Sequence, residues 1–185
     1  MPEVQLLFQK LRSRSEARET GGLIVGVVTN SDDRVPDILT SLGLRVSPLR
    51  YGDGVKAALP DSKNDIDFSV MSFDVGHEKP DPRIFHAAES MLAHLNPDRT
   101  DSTAERGVPV EKVYVGDEHS KDVEGAVNAG WNAVLIAPYE EVSRHSDVKW
   151  LDEHPAGNIF EAFGSYPAVG FSRLGKLADW LPEIH

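Results

Sequence analysis

Short apolar runs recur along this 185-residue chain, and polar residues with helical patterns separate them. The runs are "LIVGVVT" (23–29), "FSVMSF" (68–73), "KVYV" (112–115) and "NAVLI" (132–136). A short continuous apolar run is typical of a strand that is buried on both faces of a parallel sheet. Strands that alternate with helices indicate βαβ units, so we predict the α/β class with a parallel sheet and helices on both of its faces.

Helices are predicted where apolar residues recur at helical spacing. The segments are 2–18, 33–42, where "NSDD" offers caps, 81–95 and 120–130, which ends on Gly130. In the last segment, "FSRLGKLADWL", the residues Phe171, Leu174, Leu177 and Leu181 share one helical face, so 158–185 is predicted to be a helical tail. The polar stretch 96–109 is predicted to be a mobile connection. We predict one domain over 1–185.

Charge and composition narrow the class of partner. The chain has a formal net charge of −11, no cysteine and no basic cluster. Such a chain is a poor ligand for nucleic acid or for an anionic membrane. No apolar run is long enough to span a bilayer, and the start of the sequence lacks the layout of a signal peptide. We therefore expect a soluble, cytoplasmic protein, with the nucleus also open.

Polar residues follow the predicted strands at the end where ligands bind in open α/β sheets. Thr29 and Asn30 follow the first run, Lys79 follows the second, and Asp117 and Asp122 follow the third. A hydroxyl, an amide and an ammonium group suit the oxygens of a phosphate, and paired carboxylates suit Mg²⁺. The sequence therefore predicts a phosphate and metal site on this rim.

Each residue of the rim also has a purely structural explanation. Thr29 and Asn30 could cap the next helix, Lys79 could be a solvated loop residue, and Asp117 and Asp122 could decorate a helix start, where acids are favoured. Their joint occurrence in this order on successive strands favours the functional interpretation. The neighbouring Glu118 and His119 are either surface residues or contacts to substrate or metal.

Three segments together resemble a known family. They are "VVTNSDDRVPDILTSLG" (27–43), "HEKPDPRIF" (77–85) and "VYVGDEHSKDVEGAVNAGWNAVLI" (113–136). They look like the second, third and fourth motifs of the haloacid dehalogenase (HAD)-like hydrolase superfamily, and most resemble its branch of haloacid dehalogenase-like hydrolase domain-containing protein 3. The resemblance covers about residues 23–137. It implies a Rossmann-like core that hydrolyses phosphate esters through an aspartyl-phosphate with Mg²⁺.

The resemblance also implies roles for the rim residues. Thr29 and Asn30 would hold the phosphate group, and Lys79 would neutralise its charge, so that Thr29 and Lys79 are the catalytic candidates. Asp117 and Asp122 would hold Mg²⁺. The implied partner is a small phosphorylated molecule, whose identity depends on a cap that this sequence does not show.

The nucleophile motif of the family, Asp-x-Asp after a hydrophobic strand, does not precede Thr29, since none of the first 28 residues is aspartate. The sole Asp-x-Asp, Asp65 to Asp67, precedes its own strand and so enters the sheet at the wrong end. We expect a HAD core lacking its first strand, inactive in this form and weak in Mg²⁺ binding. Whether the chain is an enzyme stays open. The alternatives are a non-catalytic phosphate- or metal-binding, or regulatory, module and a fragment from a shortened gene model.

Loss of a central strand has a structural consequence. Either two strand edges are left unpaired, or 23–29 pairs with 112–115. Unpaired edges would expose apolar surface on Val25, Val27, Val113 and Val115. We therefore expect a marginally stable chain that self-associates through its exposed strand edges.

Overall fold

The computed structural model describes residues 2–16, 23–53, 64–95, 110–137, 145–152 and 157–181. The chain forms two compact units, a middle unit (Arg14–Val110) and a carboxy-terminal unit (Met1–Ser13 with Glu111–His185). The predicted connection 96–109 lies outside the described residues.

Helices and strands alternate along the chain, as the apolar pattern predicts. In order they are α1 (Pro2–Glu16), β1 (Gly26–Thr29), α2 (Val35–Ser41), β2 (Phe68–Met71), α3 (Ser72–Val75), α4 (Pro82–Leu95), β3 (Val113–Gly116), a π-helical turn (His119–Val123), α5 (Glu124–Asn128), β4 (Asn132–Ile136), β5 (Lys149–Trp150), α6 (Ile159–Phe163), β6 (Ala168–Phe171) and α7 (Leu174–Trp180).

The middle unit is built on two parallel strands. β1 pairs with β2, with Gly26 opposite Phe68 and Thr29 opposite Met71. All four residues of β2 are buried, as its continuous apolar run predicts. At Gly26 the ring of Phe68 occupies the space of a side chain, because a Cβ atom would lie 2.2 Å from it. The glycine therefore lets the two strands close over an aromatic side chain.

Helix α2 departs from the prediction in its start and in its burial. Asp32 lies two residues before the N-cap position, and its carboxylate accepts the Arg34 amide at 3.2 Å as well as the Arg34 guanidinium at 2.8–3.1 Å. Arg34 stands at the N-cap position and makes no side-chain cap bond. The predicted apolar face is open, with Ile38 and Leu42 each 53% exposed. The helix follows from its local sequence and not from burial.

The carboxy-terminal unit contains a four-stranded sheet in the order β3–β4–β6–β5. Every pair in it is parallel, with Val113 opposite Asn132 and Ala133 opposite Ala168. The core packs the central strands against α6 and α7, and its buried members are Val134, Leu151, Ile159, Phe163, Val169, Phe171 and Leu177.

The prediction of a helical tail over 158–185 is wrong in its middle. Strand β6 lies between α6 and α7, and Phe171 is a buried residue of that strand and not part of a helical face with Leu174 and Leu177. The run "AVGF" is short, apolar and buried on both faces, which is the pattern of an interior strand. The short strand β5 is likewise absent from the prediction.

The part of helix α1 up to Ser13 belongs to the carboxy-terminal unit. Leu7 is 8% exposed, as its place in the helical pattern predicts. Lys10 Nζ donates to the carbonyl oxygen of Ala178 at 2.8 Å, and the Gly175 amide donates to Glu3 Oε2 at 3.4 Å. These bonds tie the first helix to α7.

The α/β class with parallel strands is confirmed, while the described strands form two sheets instead of one. Among the described residues, β1 pairs only with β2, and β3 pairs only with β4. Of the helices in the described ranges, none combines the length and apolar character needed to cross a membrane.

Candidate phosphate and metal sites

The first candidate site is the edge of the middle unit where β1 ends. Thr29 is the last residue of β1, and the side-chain amide of Asn30 bonds the backbone of Lys79 twice. Asn30 Oδ1 accepts from the Lys79 amide at 2.7 Å, and Asn30 Nδ2 donates to the Lys79 carbonyl at 3.1 Å. The predicted phosphate-binding residues Thr29, Asn30 and Lys79 thus belong to one joined structure.

Further bonds shape this edge. The carbonyl oxygen of Ser31 accepts from the Phe73 amide at 3.3 Å and from Ser72 Oγ at 3.4 Å. These contacts fix the segment after β1 to the start of α3. Because the Asn30 amide is engaged with the Lys79 backbone, the role that its geometry shows is to position the lysine loop.

The loop of Lys79 leads directly into α4. The Lys79–Pro80 peptide is cis, and the Asp81 amide donates to the Glu78 carbonyl at 2.9 Å. Hydrogen bonds from the Arg83 side chain and backbone hold the pKa of the Asp81 carboxyl well below its usual range. Asp81 therefore stays ionised at the start of α4 and faces Arg83.

The second candidate site is the loop that follows β3 in the carboxy-terminal unit. Asp122 Oδ2 accepts the amides of Asp117 at 3.0 Å and Glu118 at 2.9 Å. The Asp122 amide in turn donates to the Glu118 carbonyl at 2.7 Å. The sequence predicts a regular helix over 120–130, but the chain forms a π-helical turn first, and this turn brings Asp122 back over its own loop. Such turns are frequent at functional sites.

Close packing around Asp122 affects two neighbouring residues, Gly116 and Tyr114. A Cβ atom on Gly116 would lie 2.3 Å from Asp122 Oδ2, so only glycine fits there. Burial raises the pKa of the Tyr114 phenol, and the nearby Asp122 carboxylate raises it further. Asp122 itself is 4% exposed.

The chemistry of this loop suits Mg²⁺ in kind but not in number of ligands. Mg²⁺ prefers six oxygen ligands in near-ideal geometry. Asp117 is an exposed carboxylate, whereas Asp122 is buried and accepts hydrogen bonds from its own loop. The contacts of Asp122 are those of a residue that holds the loop in place. Its assignment as a metal ligand stays a prediction.

The Asp-x-Asp pair lies at the other end of the middle sheet. Asp67 Oδ2 accepts the Val25 amide at 2.9 Å, and the Asp67 amide donates to the Val25 carbonyl at 2.7 Å. Asp65 Oδ2 accepts the Arg45 amide at 2.8 Å. Both acids are buried; Asp67 joins the segments that enter β1 and β2, and Asp65 joins the segment after α2 to the one that enters β2. The pair lies at the start of the strands, at the end of the sheet opposite Thr29. The sequence suggests an ordinary loop here, whereas both acids have defined hydrogen-bond partners.

One cluster is not predicted by the sequence. His119, in the π-helical turn, contacts Asp147, which lies 28 residues further along, and its ring stacks on that of His145. The "HSD" triplet at 145–147 was its only local signal, and nothing in it indicates a contact with His119.

Comparison with known proteins shows what the chain is similar to. Residues 77–161 match the family model described as HAD-hydrolase-like. Haloacid dehalogenase-like hydrolase domain-containing protein 3 from Bos taurus is 32% identical over 116 residues, which are 63% of this chain and 34% of that protein. The Drosophila melanogaster rhythmically expressed gene 2 protein is 28% identical over 70% of this chain and 38% of its own length. The chain is thus similar to HAD-like hydrolases, over residues 77–161 by the family model and over 63% of its length by the Bos taurus relative.

Two further matches bear on class and fold. Glyceraldehyde 3-phosphate phosphatase from Methanopyrus kandleri is 37% identical over 42% of this chain and 29% of that protein. The crystal structure of a HAD phosphatase from Thermococcus onnurineus matches with a TM-score of 0.57 at 19% identity, over 96% of this chain and 55% of that one. The chain thus spans well under half of the length of the curated relatives named here.

Proposed function

We propose that this chain is a HAD-like hydrolase domain of the phosphate-ester class that binds a phosphate group but does not turn phosphate esters over by itself. The observation that carries the proposal is the reciprocal bonding of Asn30 and Lys79. It ties the lysine loop to the residue that follows Thr29, and we propose that the Lys79 ammonium and the Thr29 hydroxyl bind the same anion. Thr29 and Lys79 are the proposed phosphate-binding residues, and Asn30 positions them.

Absence of turnover is proposed because the chemistry needs two more groups. Phosphoryl transfer of this kind needs a carboxylate that attacks phosphorus and an acid that protonates the leaving oxygen. The sole Asp-x-Asp in the sequence is buried at the opposite strand end, where Asp67 is bonded to Val25. Asp32, which follows β1 closely, is paired with Arg34. Positioning and charge neutralisation would remain, without the attacking group.

Magnesium is generally the metal of this superfamily, and when bound it neutralises charge on the phosphate oxygens. Asp117 and Asp122 would be its ligands here, and Asp122 Oδ2 also keeps the loop in shape. With so few protein oxygens we propose an affinity on the order of millimolar. A small phosphorylated molecule is the proposed ligand, and the name of the archaeal phosphatase relative supports that class.

A non-catalytic binding or regulatory module is the second candidate. It is favoured by the same Asn30–Lys79 pair, which organises anion donors without supplying a nucleophile. A third possibility, a shortened copy of a longer phosphatase, rests on the partial coverage of the relatives. The mass of the endogenous protein in a cell extract distinguishes the third candidate from the other two, because only the third expects a substantially longer species.

The test measures binding and turnover separately. Inorganic phosphate binding is followed by calorimetry, and hydrolysis of an aryl phosphate with Mg²⁺ is followed by absorbance. Lys79→Ala should weaken phosphate binding about tenfold, as the loss of a charge-assisted contact predicts. The matched control is Lys176→Ala, which replaces another half-buried lysine on α7. Both variants and the parent chain should show only background hydrolysis.

Two results contradict the proposal in different ways. Equal phosphate affinity in the parent chain and Lys79→Ala would show that Lys79 does not bind the phosphate, contrary to the proposed site. Robust hydrolysis that depends on Lys79 would show that an aspartate of this chain acts as a nucleophile.

A further inference from the structure

The cluster around His119 has the composition of a metal site that is separate from the Mg²⁺ candidate. The Nε2 atom of His119 lies 3.0 and 3.1 Å from the two carboxylate oxygens of Asp147. His145 lies with its ring against that of His119, at a centroid distance of 3.6 Å and an angle of 7°. One donor atom from each of the three residues lies within 4.8 Å of the other two.

We propose that His119, His145 and Asp147 bind a first-row transition-metal ion of the Zn²⁺ class. Imidazole nitrogens suit Zn²⁺, Cu²⁺ and Ni²⁺, whereas Mg²⁺ prefers oxygen ligands alone. Two imidazoles and one carboxylate make a three-ligand set, which in zinc sites leaves the fourth position to water. The proposal does not depend on the proposed phosphate chemistry.

Coordination requires the donor atoms to draw together and at least one ring to turn. Zinc binds nitrogen and oxygen ligands at about 2.0–2.2 Å, so its donor atoms lie roughly 3–4 Å apart. The donor atoms of the cluster need to draw together only slightly from their spread of up to 4.8 Å. The two rings lie face to face, and ring lone pairs point in the ring plane. At least one ring, which we assign to His145, therefore rotates when the ion binds.

Glu124 completes the arrangement on the other side of His119. Its Oε1 atom lies 3.5 Å from Nδ1 of His119, while Nε2 faces Asp147. A carboxylate on the second ring nitrogen fixes the tautomer and orientation of many metal-bound histidines. Glu124 would thus hold the Nδ1 proton and leave Nε2 to the metal.

An ion in this cluster would link two segments of the carboxy-terminal unit. His119 belongs to the π-helical turn, and His145 and Asp147 precede β5. An ion bound by all three would join the loop after β3 to the segment that enters β5. Asp117 lies two residues before His119, so the loop that carries the proposed Mg²⁺ ligand would be held at a second point.

The experiment is a calorimetric titration of the chelator-treated chain with Zn²⁺ near neutral pH, with Mg²⁺ titrated separately. We expect one Zn²⁺ per chain and no competition from Mg²⁺. His145→Ala and the near-isosteric Asp147→Asn should each weaken Zn²⁺ binding tenfold or more, and Glu124→Gln by about tenfold. The matched control is His86→Ala, which removes an exposed histidine on α4 of the middle unit. This control should bind Zn²⁺ like the parent chain.

A second readout is the NMR signal of the imidazole nitrogens. Zn²⁺ should shift those of both His119 and His145 and leave His86 unchanged. Circular dichroism checks that each variant keeps its secondary structure. Because Asp147 is exposed, we expect Asp147→Asn to disturb the fold less than His145→Ala does. The proposal is overturned if the His145 and Asp147 variants bind Zn²⁺ like the parent chain, or if His86→Ala loses as much affinity as they do.

Discussion

Asn30 and Lys79 are 49 residues apart and are joined by two hydrogen bonds that run in opposite directions. The Asn30 side chain acts here like the edge of a strand, because it pairs with both the N–H and the C=O of one backbone residue. The arrangement needs an amide, since a carboxylate cannot donate and a hydroxyl cannot reach both groups. It links the end of β1 to the loop before α4.

Asn30→Asp should therefore break half of this pair. The new carboxylate still accepts from the Lys79 amide but places a charged oxygen against the Lys79 carbonyl. We expect the free energy of unfolding to fall by about 1–3 kcal/mol, the usual cost of a lost donor that leaves a partner unsatisfied. Urea titration measures it. The control is Ser90→Ala, which removes an exposed bond of 3.0 Å to the His86 carbonyl and should change little. Equal losses in the two variants would show that the pair has no special role.

Replacing each of the two aspartates in the loop after β3 should have different effects on stability. Asp122→Ala leaves the amides of Asp117 and Glu118 without their carboxylate partner, so we expect a loss of about 2–4 kcal/mol. Asp117→Ala removes an exposed side chain and should change stability by less than about 0.5 kcal/mol. It should nevertheless abolish the weak Mg²⁺ binding, as calorimetry can show. Similar stability losses in both variants, or Mg²⁺ binding that survives Asp117→Ala, would contradict these assignments.

The strands that the sequence predicts well are those that coincide with a separate continuous apolar run. The run at 132–136 coincides with β4, and β1, β2 and β3 fall within their predicted runs or one residue beside them. Strand β6 was missed because its four residues adjoin a helix whose leucines continue the same spacing. A short apolar run does not distinguish strand from helix by periodicity alone. Its identity comes from the pairing with β4 and β5, which is a tertiary contact.

The sequence predicts the residues of the candidate sites but not their contacts. Strand ends place Thr29, Asn30 and Lys79 together, since parallel strands bring their carboxyl ends to one edge. The sequence does not show that Asn30 uses its amide on the lysine loop, or that Asp122 accepts the amides of its own turn. Hydrogen-bond partners depend on side-chain direction, which the tertiary structure sets. His119 and Asp147 meet for the same reason, 28 residues apart without a motif.

Self-association through the edge of β3 that has no partner strand among the described residues stays a prediction, and Val115 allows a direct test. Its side chain is 43% exposed although it lies in a strand. Lysine on an edge strand opposes pairing with another chain. Val115→Lys should therefore lower the concentration-dependent rise in sedimentation coefficient. The control is Val110→Lys, whose valine is 41% exposed and lies before β3. A parent chain that stays monomeric at high concentration, or equal effects of both variants, would refute the expectation.

Tyr114 should make the protein sensitive to alkaline pH. Burial, together with the Asp122 carboxylate, raises the pKa of the phenol above its ordinary value of 10.0. The folded chain therefore keeps this proton at a pH where the unfolded chain releases it. The stability that this linkage contributes is complete below pH 10 and is lost as the pH rises above it, by up to about 1.4 kcal/mol per pH unit.

Tyr114→Phe removes the phenol and its hydrogen bond to Asp122, so the variant should be less stable than the parent by about 1 kcal/mol near pH 8. Its free energy of unfolding should then decline less steeply than that of the parent between about pH 10 and pH 11, because no phenol titrates at this position. Tyr166→Phe, which changes a ring that is 43% exposed, is the control and should follow the parent curve. Urea titrations at successive pH values give the three curves. Parallel curves for the parent and Tyr114→Phe would mean that the Tyr114 phenol ionises equally readily in the folded and the unfolded chain.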